Sequence, residues 1–447
     1  MPEVFPFRAI TYPQPRDQSA LIAPPYDVLD AAGKQRLLEK DRRNIVGIDL
    51  PHTPAKELGP PAAYAAAADR FRALIADGTL ARSDRALMFA YRQTWSQQGR
   101  TVRRNGMACC VETVPFGARM GGGILPHEET FSGPKEDRLA LMRATHSQLS
   151  PIFGLHADDA GAAKSVLADA MARTLPDRTA RTDDGTLHEV WTVSDAATID
   201  TYRAALAGED VFVADGHHRY NTALNYLHEV EARGAVPADH PARRTMFVLV
   251  GMSDPGLVIW PTHRVLGGMQ GYTFDRFLAE SKPHVHALAV PGGLKDLDGM
   301  LAVSADPRAF GLHDFATGRS VLASPAAPDP LAARFPEKCP AWRGLTVAFI
   351  QHVIVEEVCE PRLNGGRSVK WAFPHTVSEV MAIGSGVETG AGGASTFNGR
   401  PQLAIIVRPT PLSAVRDVSR AGQLMPQKST FFYPKLATGL FMHGLSP

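Results

Sequence analysis

The chain has 447 residues, 44% hydrophobic and 21% charged, which is the balance of a globular protein long enough for two or three domains. Lys plus Arg is 47 and Asp plus Glu is 46, a formal net charge of +1, so binding to nucleic acid through an overall basic field is disfavoured while a local anion site stays open. Four cysteines (Cys109, Cys110, Cys339 and Cys359) form no CxxC pair, which excludes a zinc-ribbon or thioredoxin motif, and Cys109 and Cys110, in an apolar strand-like stretch, read as buried free thiols in a reducing compartment. Neither a basic leader nor an apolar run of about 18 residues is present, so a cytoplasmic protein without a membrane span is expected.

In chain order, the first 60 residues are Pro-rich and read as irregular, with the run Ala23-Pro24-Pro25-Tyr26-Asp27-Val28 rigid and extended because proline fixes φ. An Ala-rich helix is predicted over 61–77, ending at Gly78. Strands follow at 85–94 and 106–114, joined by a turn around Gln98-Gly99. Helices are predicted at 135–147, 160–174, 196–207 and 217–233, and strands at 188–193, 211–214 and 243–251. This alternation gives a mixed α/β core. Beyond about 270 the pattern loosens, leaving helices at 344–359, 376–383 and 411–421 and a strand at 402–408. A Gly-rich insert, 384–399, is expected to be a mobile loop. The expected division is 1–270 and 271–447.

The strongest chemical signal is the run Asp215-Gly216-His217-His218-Arg219 at a strand-to-helix turn. Amide groups in the first turn of a helix have no helical partner, and the helix dipole favours an anion there. Arg219 adds a planar fork of donors, and the two histidines can donate, accept or bind metal. Cations in a first turn oppose the dipole unless an anion or Asp215 compensates. The same residues also read as an N-capping Asp215 followed by solvated polar side chains.

A second polar cluster is His127-Glu128-Glu129-Thr130, leading into Lys135, Glu136, Asp137 and Arg138. Glu128 could serve as a general base or hold a divalent ion, whereas Glu136 and Asp137 suit the start of a helix. A third is Lys428-Ser429-Thr430, which lacks the upstream glycines of a P-loop but can hold an anion, or can be a solvated turn. His263-Arg264 is a weaker fourth. No GxGxxG, HExxH or GxSxG motif is present, so a Rossmann cofactor, a zincin and a nucleophile elbow are unsupported.

Taken together, Ala23 to Val28, His127-Glu128-x-Thr130, Ser132 to Arg138, Ser150-Pro151-Ile152-Phe153, Asp215 to Tyr220, Pro261-Thr262-His263-Arg264 and the run 425–435 resemble the DUF1015 family, over nearly the whole chain. The Asp-Gly-His-His-Arg element is also similar to that of the ParB/sulfiredoxin superfamily, whose members include CTP-binding partition proteins, sulfiredoxin and free serine kinases. No cysteine lies between 215 and 219, and no basic helix-turn-helix array is present, so the small-molecule kinase branch remains.

This resemblance implies a ParB/sulfiredoxin-like core with N- and C-terminal α/β additions. It implies that His217, His218 and Arg219 clamp phosphates, with help from His127, Lys135, Lys428, Ser429, Thr430, His263 and Arg264. Asp215 would orient a histidine or join Glu128 in holding Mg2+, with His218 also in a catalytic role. Glu128 or Asp27 would take the proton from the acceptor. The expected donor is ATP or ADP, the acceptor a small hydroxyl compound such as serine, and a homodimer is an option. The same site could also run the reverse direction or hydrolyse a phosphoester; a nucleotide sensor without turnover, or a metal hydrolase using His127, Glu128, His217 and His218, are the alternatives.

Overall fold

The computed structural model describes residues 2–55, 57–128, 132–397 and 399–446. Two compact units divide the chain. The first holds Met1–Pro126, Thr130–Val258 and Pro434–Pro447, and the second holds His127–Glu129 and Ile259–Tyr433.

The first unit is built on a mixed sheet. Its centre is the hairpin Met88–Gln97 and Arg100–Glu112. Gln98 and Gly99 connect the strands with φ of 50° and 75°, the two left-handed residues that a tight hairpin needs to match the strand twist. Pairing runs from Gln97 with Arg100 to Phe89 with Ala108. On one side come Leu187–Val193 and Arg178–Arg181. On the other come Arg244–Gly251, Ile152–His156, Val211–Asp215 and Ile124–Leu125. Two of these pairs are parallel: Arg244–Gly251 with Ile152–His156, and Val211–Asp215 with Ile124–Leu125.

One core lies under the helices Ala162–Arg173 and Ala196–Ala205 and includes Cys109, Val213, Tyr220 and Phe247. Cys109 and Cys110 are buried free thiols, and burial pushes both far above their ordinary range. A second core gathers Tyr12, Ile45, Ile48, Phe71 and Leu149 with the helices Pro61–Ala76 and Ser132–Thr145.

The N-terminal segment is less irregular than its prolines suggest. Asp30 caps a helix, Ala31–Lys40, by accepting from the Gly33 amide at 2.6 Å. Tyr26–Val28 is a 3-10 turn, so the extended run ends at Pro25. The end of the chain also belongs here. Met442–Gly444 lies between Ala9–Thr11 and Ser147–Gln148 in a four-stranded sheet.

The second unit is a six-stranded antiparallel sheet in the order Val285–Val290, Ser320–Pro325, Phe310–Asp314, Pro401–Ile406, Arg264–Gly267, Lys370–Ala372. Alternation along its strands feeds two cores. Leu266 and Ile405 pack on one face with Phe349, Ile350 and Val353, from a helix that starts at Thr346–Phe349 and continues π-wound over Ile350–Leu363. Val265, Ala404 and Ile406 pack on the other with Leu297 and Leu301 of Gly293–Val303 and Ile383 of Val377–Gly384. Among the described residues, no helix is long and apolar enough to cross a membrane.

Candidate functional site

In the first unit the buried strand Val211–Asp215 delivers Asp215 to the mouth of the helix His217–Glu231. Between them Gly216 takes φ 98°, a backbone state costly for any residue with a Cβ. Gly216, at the N-cap, has no side chain with which to cap this helix. The Asp215 carboxylate accepts from Arg219 Nη2 at 2.5 Å and from Lys435 Nζ. Arg219 Nη1 donates to the Pro151 carbonyl. Burial opposes ionisation of Asp215, but Lys435, then Arg219 and His217, outweigh it and hold the carboxyl well below its ordinary range. Asp215 therefore supplies the compensation that a cationic first turn requires, and the trio retains one net positive charge. His217 is buried and His218 half-buried.

Lys435 closes the run 425–435 and is not among the cations expected from the sequence to hold phosphate, of which that run contains Lys428. Its backbone is gripped from the central hairpin. Gln93 Nε2 donates to the Lys435 carbonyl at 2.8 Å, and Arg104 Nη2 donates to the Pro434 carbonyl at 2.5 Å. Arg104 is 2% exposed, lies over the Phe153 ring at 4.5 Å and has its pKa pushed down to about 10 by burial. A buried guanidinium held this way fixes the chain path that carries Lys435 to Asp215.

Arg219 also lines a cavity with Tyr26, Asp49, Arg138, Ser150 and Thr222. Arg138 lies over the Tyr26 ring at 4.0 Å. Its Nε donates to Asp137 at 2.8 Å, and Nη1 donates to the Asp49 carbonyl at 2.6 Å. Asp137 also accepts from Tyr64 at 2.7 Å and bonds His52 Nε2 at 2.8 Å. Of the expected residues, Asp27 is half-buried in the turn beside Tyr26, and Lys135 is half-buried one turn before Arg138, but neither lines the cavity. Asp49, which does, was not anticipated.

In the second unit lie His127, Glu128, His263, Arg264, Lys428, Ser429 and Thr430, and they form a packed cluster of their own. His127 Nε2 and Thr430 Oγ1 share a 2.8 Å hydrogen bond. Glu128 Oε1 accepts from the Lys428 amide at 3.0 Å, and Lys428 stands at φ 58°. Arg264 Nη2 donates to the Lys428 carbonyl at 3.1 Å. Burial pushes Arg264 down to about 9, against the pull of Glu128, and pushes His263 down to about 3, helped by Arg264 and His375. His263 Nδ1 accepts from the Val407 amide at 3.2 Å. The Ser429 hydroxyl donates to the Pro426 carbonyl. Ser429 and Arg264 are thus spent on shaping the loop, while the Lys428 side chain is exposed. Thr130 of the second motif lies outside the described residues.

No group of three or more His, Cys, Asp or Glu placed to hold a metal occurs among the described residues. Asp215 and Glu128, expected as ligands, are instead engaged by Arg219 and Lys435 and by the Lys428 amide, respectively.

No curated protein sequence matches the chain. Among solved structures, it is similar to a free serine kinase in complex with AMP at 10% identity over 71% of this chain and 88% of that one, with a TM-score of 0.31. A variant free serine kinase with ADP gives 10% identity, coverage of 73% and 95%, and a TM-score of 0.33. A conserved hypothetical protein from Pyrococcus furiosus gives 11% identity, coverage of 73% and 98%, and a TM-score of 0.31. The family model described as a protein of unknown function (DUF1015) matches residues 4–344, a stretch that contains the Asp215 to Arg219 turn, and the chain belongs to that family.

Proposed function

We propose that the chain is a nucleotide-dependent phosphotransferase acting on a small hydroxyl metabolite, with free serine the first acceptor to try, and that the 215–219 turn binds the phosphates. One observation carries this reading: at the start of the helix His217–Glu231, Arg219 and Lys435 converge on the Asp215 carboxylate, and His217 lies near enough to favour its ionised form. A helix end of this kind attracts anions, and a guanidinium beside an ammonium matches phosphate oxygens. An arriving phosphate would compete with Asp215 for both cations. Phosphoryl transfer asks mainly for positioning and positive charge, which such a turn supplies. In this reading the strand, turn and helix are the ParB/sulfiredoxin-like element, ATP or ADP is the donor, and the protein works on small molecules in the cytosol.

The donor set does not fit a protein-held Mg2+. Both Asp215 oxygens face cations, and no further carboxylate or imidazole group completes a site among the described residues.

The test is equilibrium binding of ATP, ADP, CTP, GTP and pyrophosphate to the wild type and to Arg219→Ala, with product analysis after adding serine. Losing a charge-assisted contact should weaken binding by about 10- to 100-fold, from roughly 1.5–3 kcal/mol per contact. Serine-dependent product supports the kinase. Binding without product supports a sensor. Nucleotide affinity unchanged in Arg219→Ala removes the phosphate role of the turn.

A further inference from the structure

Two carboxylates beside Arg138 are treated very differently by their surroundings. Asp137 is saturated by Tyr64, His52 and Arg138, all within 2.8 Å. Asp49 is 4% exposed, yet among the described residues its carboxylate has only long contacts: Ser150 Oγ at 3.3 Å and Arg138 Nη1 at 3.4 Å. The short Arg138 bond goes to the Asp49 backbone carbonyl instead. An ionised carboxylate has about four acceptor positions, and leaving them poorly filled away from water costs free energy. Asp49 faces a cavity of about 40 Å³ whose wall includes Arg219, the arginine of the phosphate-binding turn.

We propose that this cavity is the acceptor site, taking a small hydroxy compound that carries a carboxylate, and that Asp49 removes the proton from its hydroxyl. The proposal rests on the phosphotransferase reading. Arg138 and Arg219 supply the positive charge for the acceptor carboxylate, and Arg219 is shared with the donor phosphates, so the two substrates meet across one side chain. In the step, the hydroxyl oxygen bonds to the terminal phosphorus of a nucleoside di- or triphosphate. Its proton passes to the Asp49 carboxylate. The bond from that phosphorus to the bridging oxygen breaks, and its electron pair leaves with the shortened nucleotide.

Glu128 and Asp27 fit this role less well. Glu128 already holds the Lys428 amide, and neither Glu128 nor Asp27 lines the cavity. Burial pushes the Asp49 carboxyl up, against the pull of Arg138, Arg219 and the Ser150 hydroxyl, with Asp27 adding to the rise. A base displaced toward neutrality is effective at physiological pH.

The experiment uses the full chain with ATP or ADP and compares serine with ethanolamine, which lacks the carboxylate. Asp49→Asn should bind nucleotide within about twofold of wild type and lose turnover by about 100-fold or more, the usual weight of a general base. Wild-type turnover should rise with pH through one ionisation that the variant lacks, and ethanolamine should be the poorer acceptor. Ser150→Ala, which removes a hydrogen bond that favours the ionised form, should shift that ionisation to higher pH, and this arm stands even if Asp49→Asn does not fold. Turnover by Asp49→Asn with the wild-type pH profile, or an unmoved ionisation in Ser150→Ala, overturns the assignment. A wild type that binds nucleotide but forms no product removes the phosphotransferase reading itself, and this proposal with it.

Discussion

Replacing Lys435 with Met tests whether the Asp215 cluster is held together by charge. The two side chains are 17% and 18% exposed, so they lie between a surface pair and a fully buried one. Exposed pairs contribute about 0–1 kcal/mol, while stripping the only partner from a buried charge costs about 3–5 kcal/mol. Asp215 keeps Arg219 at 2.5 Å, which places the expected loss near 2 kcal/mol. For a folding unit of this size that corresponds to about 4–8 °C in Tm.

The sign with pH follows from the direction of the Asp215 shift. Its folded pKa lies below the unfolded value of about 3.9, so the stabilisation is complete above that pH and is lost as pH falls further. Calorimetry at pH 7 and pH 3.5 on wild type, Lys435→Met, Asp215→Asn and the double variant gives the coupling directly. A coupling above about 1 kcal/mol at pH 7 that persists at pH 3.5, where the folded Asp215 carboxylate is still ionised, is expected. Additive losses at both pH values would refute the electrostatic account of the cluster.

Three further outcomes are expected. Gly216→Ala should lose about 1–3 kcal/mol from its left-handed backbone and weaken nucleotide binding as well, because the new Cβ would sit 3.1 Å from the Arg219 guanidinium; Gly99→Ala, at φ 75° with open space around it, should pay only the backbone cost, and equal nucleotide affinities in the two variants would contradict this. In the native protein a thiol reagent at pH 8 should modify Cys339 alone, since Cys109, Cys110 and Cys359 are buried with raised pKa values, and all four should react in denaturant; early labelling of any buried thiol would count against the packing described. Burial pushes His156, His188 and His443 down to about 4 from an ordinary 6.5, so each unfolded chain binds protons the folded one refuses, and stability should fall by about 1.4 kcal/mol per pH unit per histidine between those values; a flat denaturation midpoint from pH 6.5 to 4 would rule this out.

Local rules made part of this fold legible. Gln98-Gly99 marked the hairpin because both positions require a left-handed backbone, and the helices Pro61–Ala76 and His217–Glu231 were visible in composition and in the strand-to-helix turn. The second unit was harder. Its edge strand, Val285–Val290, is exposed at four successive positions, so no alternation betrays it. Among the prolines of the first 60 residues, the Asp30 cap was outweighed although it governs a full helix. At the candidate site, the turn was readable because its chemistry is contiguous. Lys435 and Asp49 were not, because their partners are distant in sequence: Asp215 lies 220 positions from Lys435, and Arg138 lies 89 from Asp49. A signal for Asp49 did exist: it is a lone acid in a run where Ile45, Val46, Ile48 and Leu50 are all at most 1% exposed.

The return of residues 434–447 to the first unit sets an order of events during synthesis. Met442–Gly444 separates Ala9–Thr11 from Ser147–Gln148, which therefore have no direct bond to each other in that sheet. Domains tend to fold as they emerge from the ribosome, N-terminal ones first. Here the first unit must wait with a missing strand, and with Asp215 lacking Lys435, while the second is translated in full. A nascent chain paused anywhere before 435 would present a buried-site carboxylate short of one counter-charge and an open strand edge, which is the interval in which a chaperone would have something to hold.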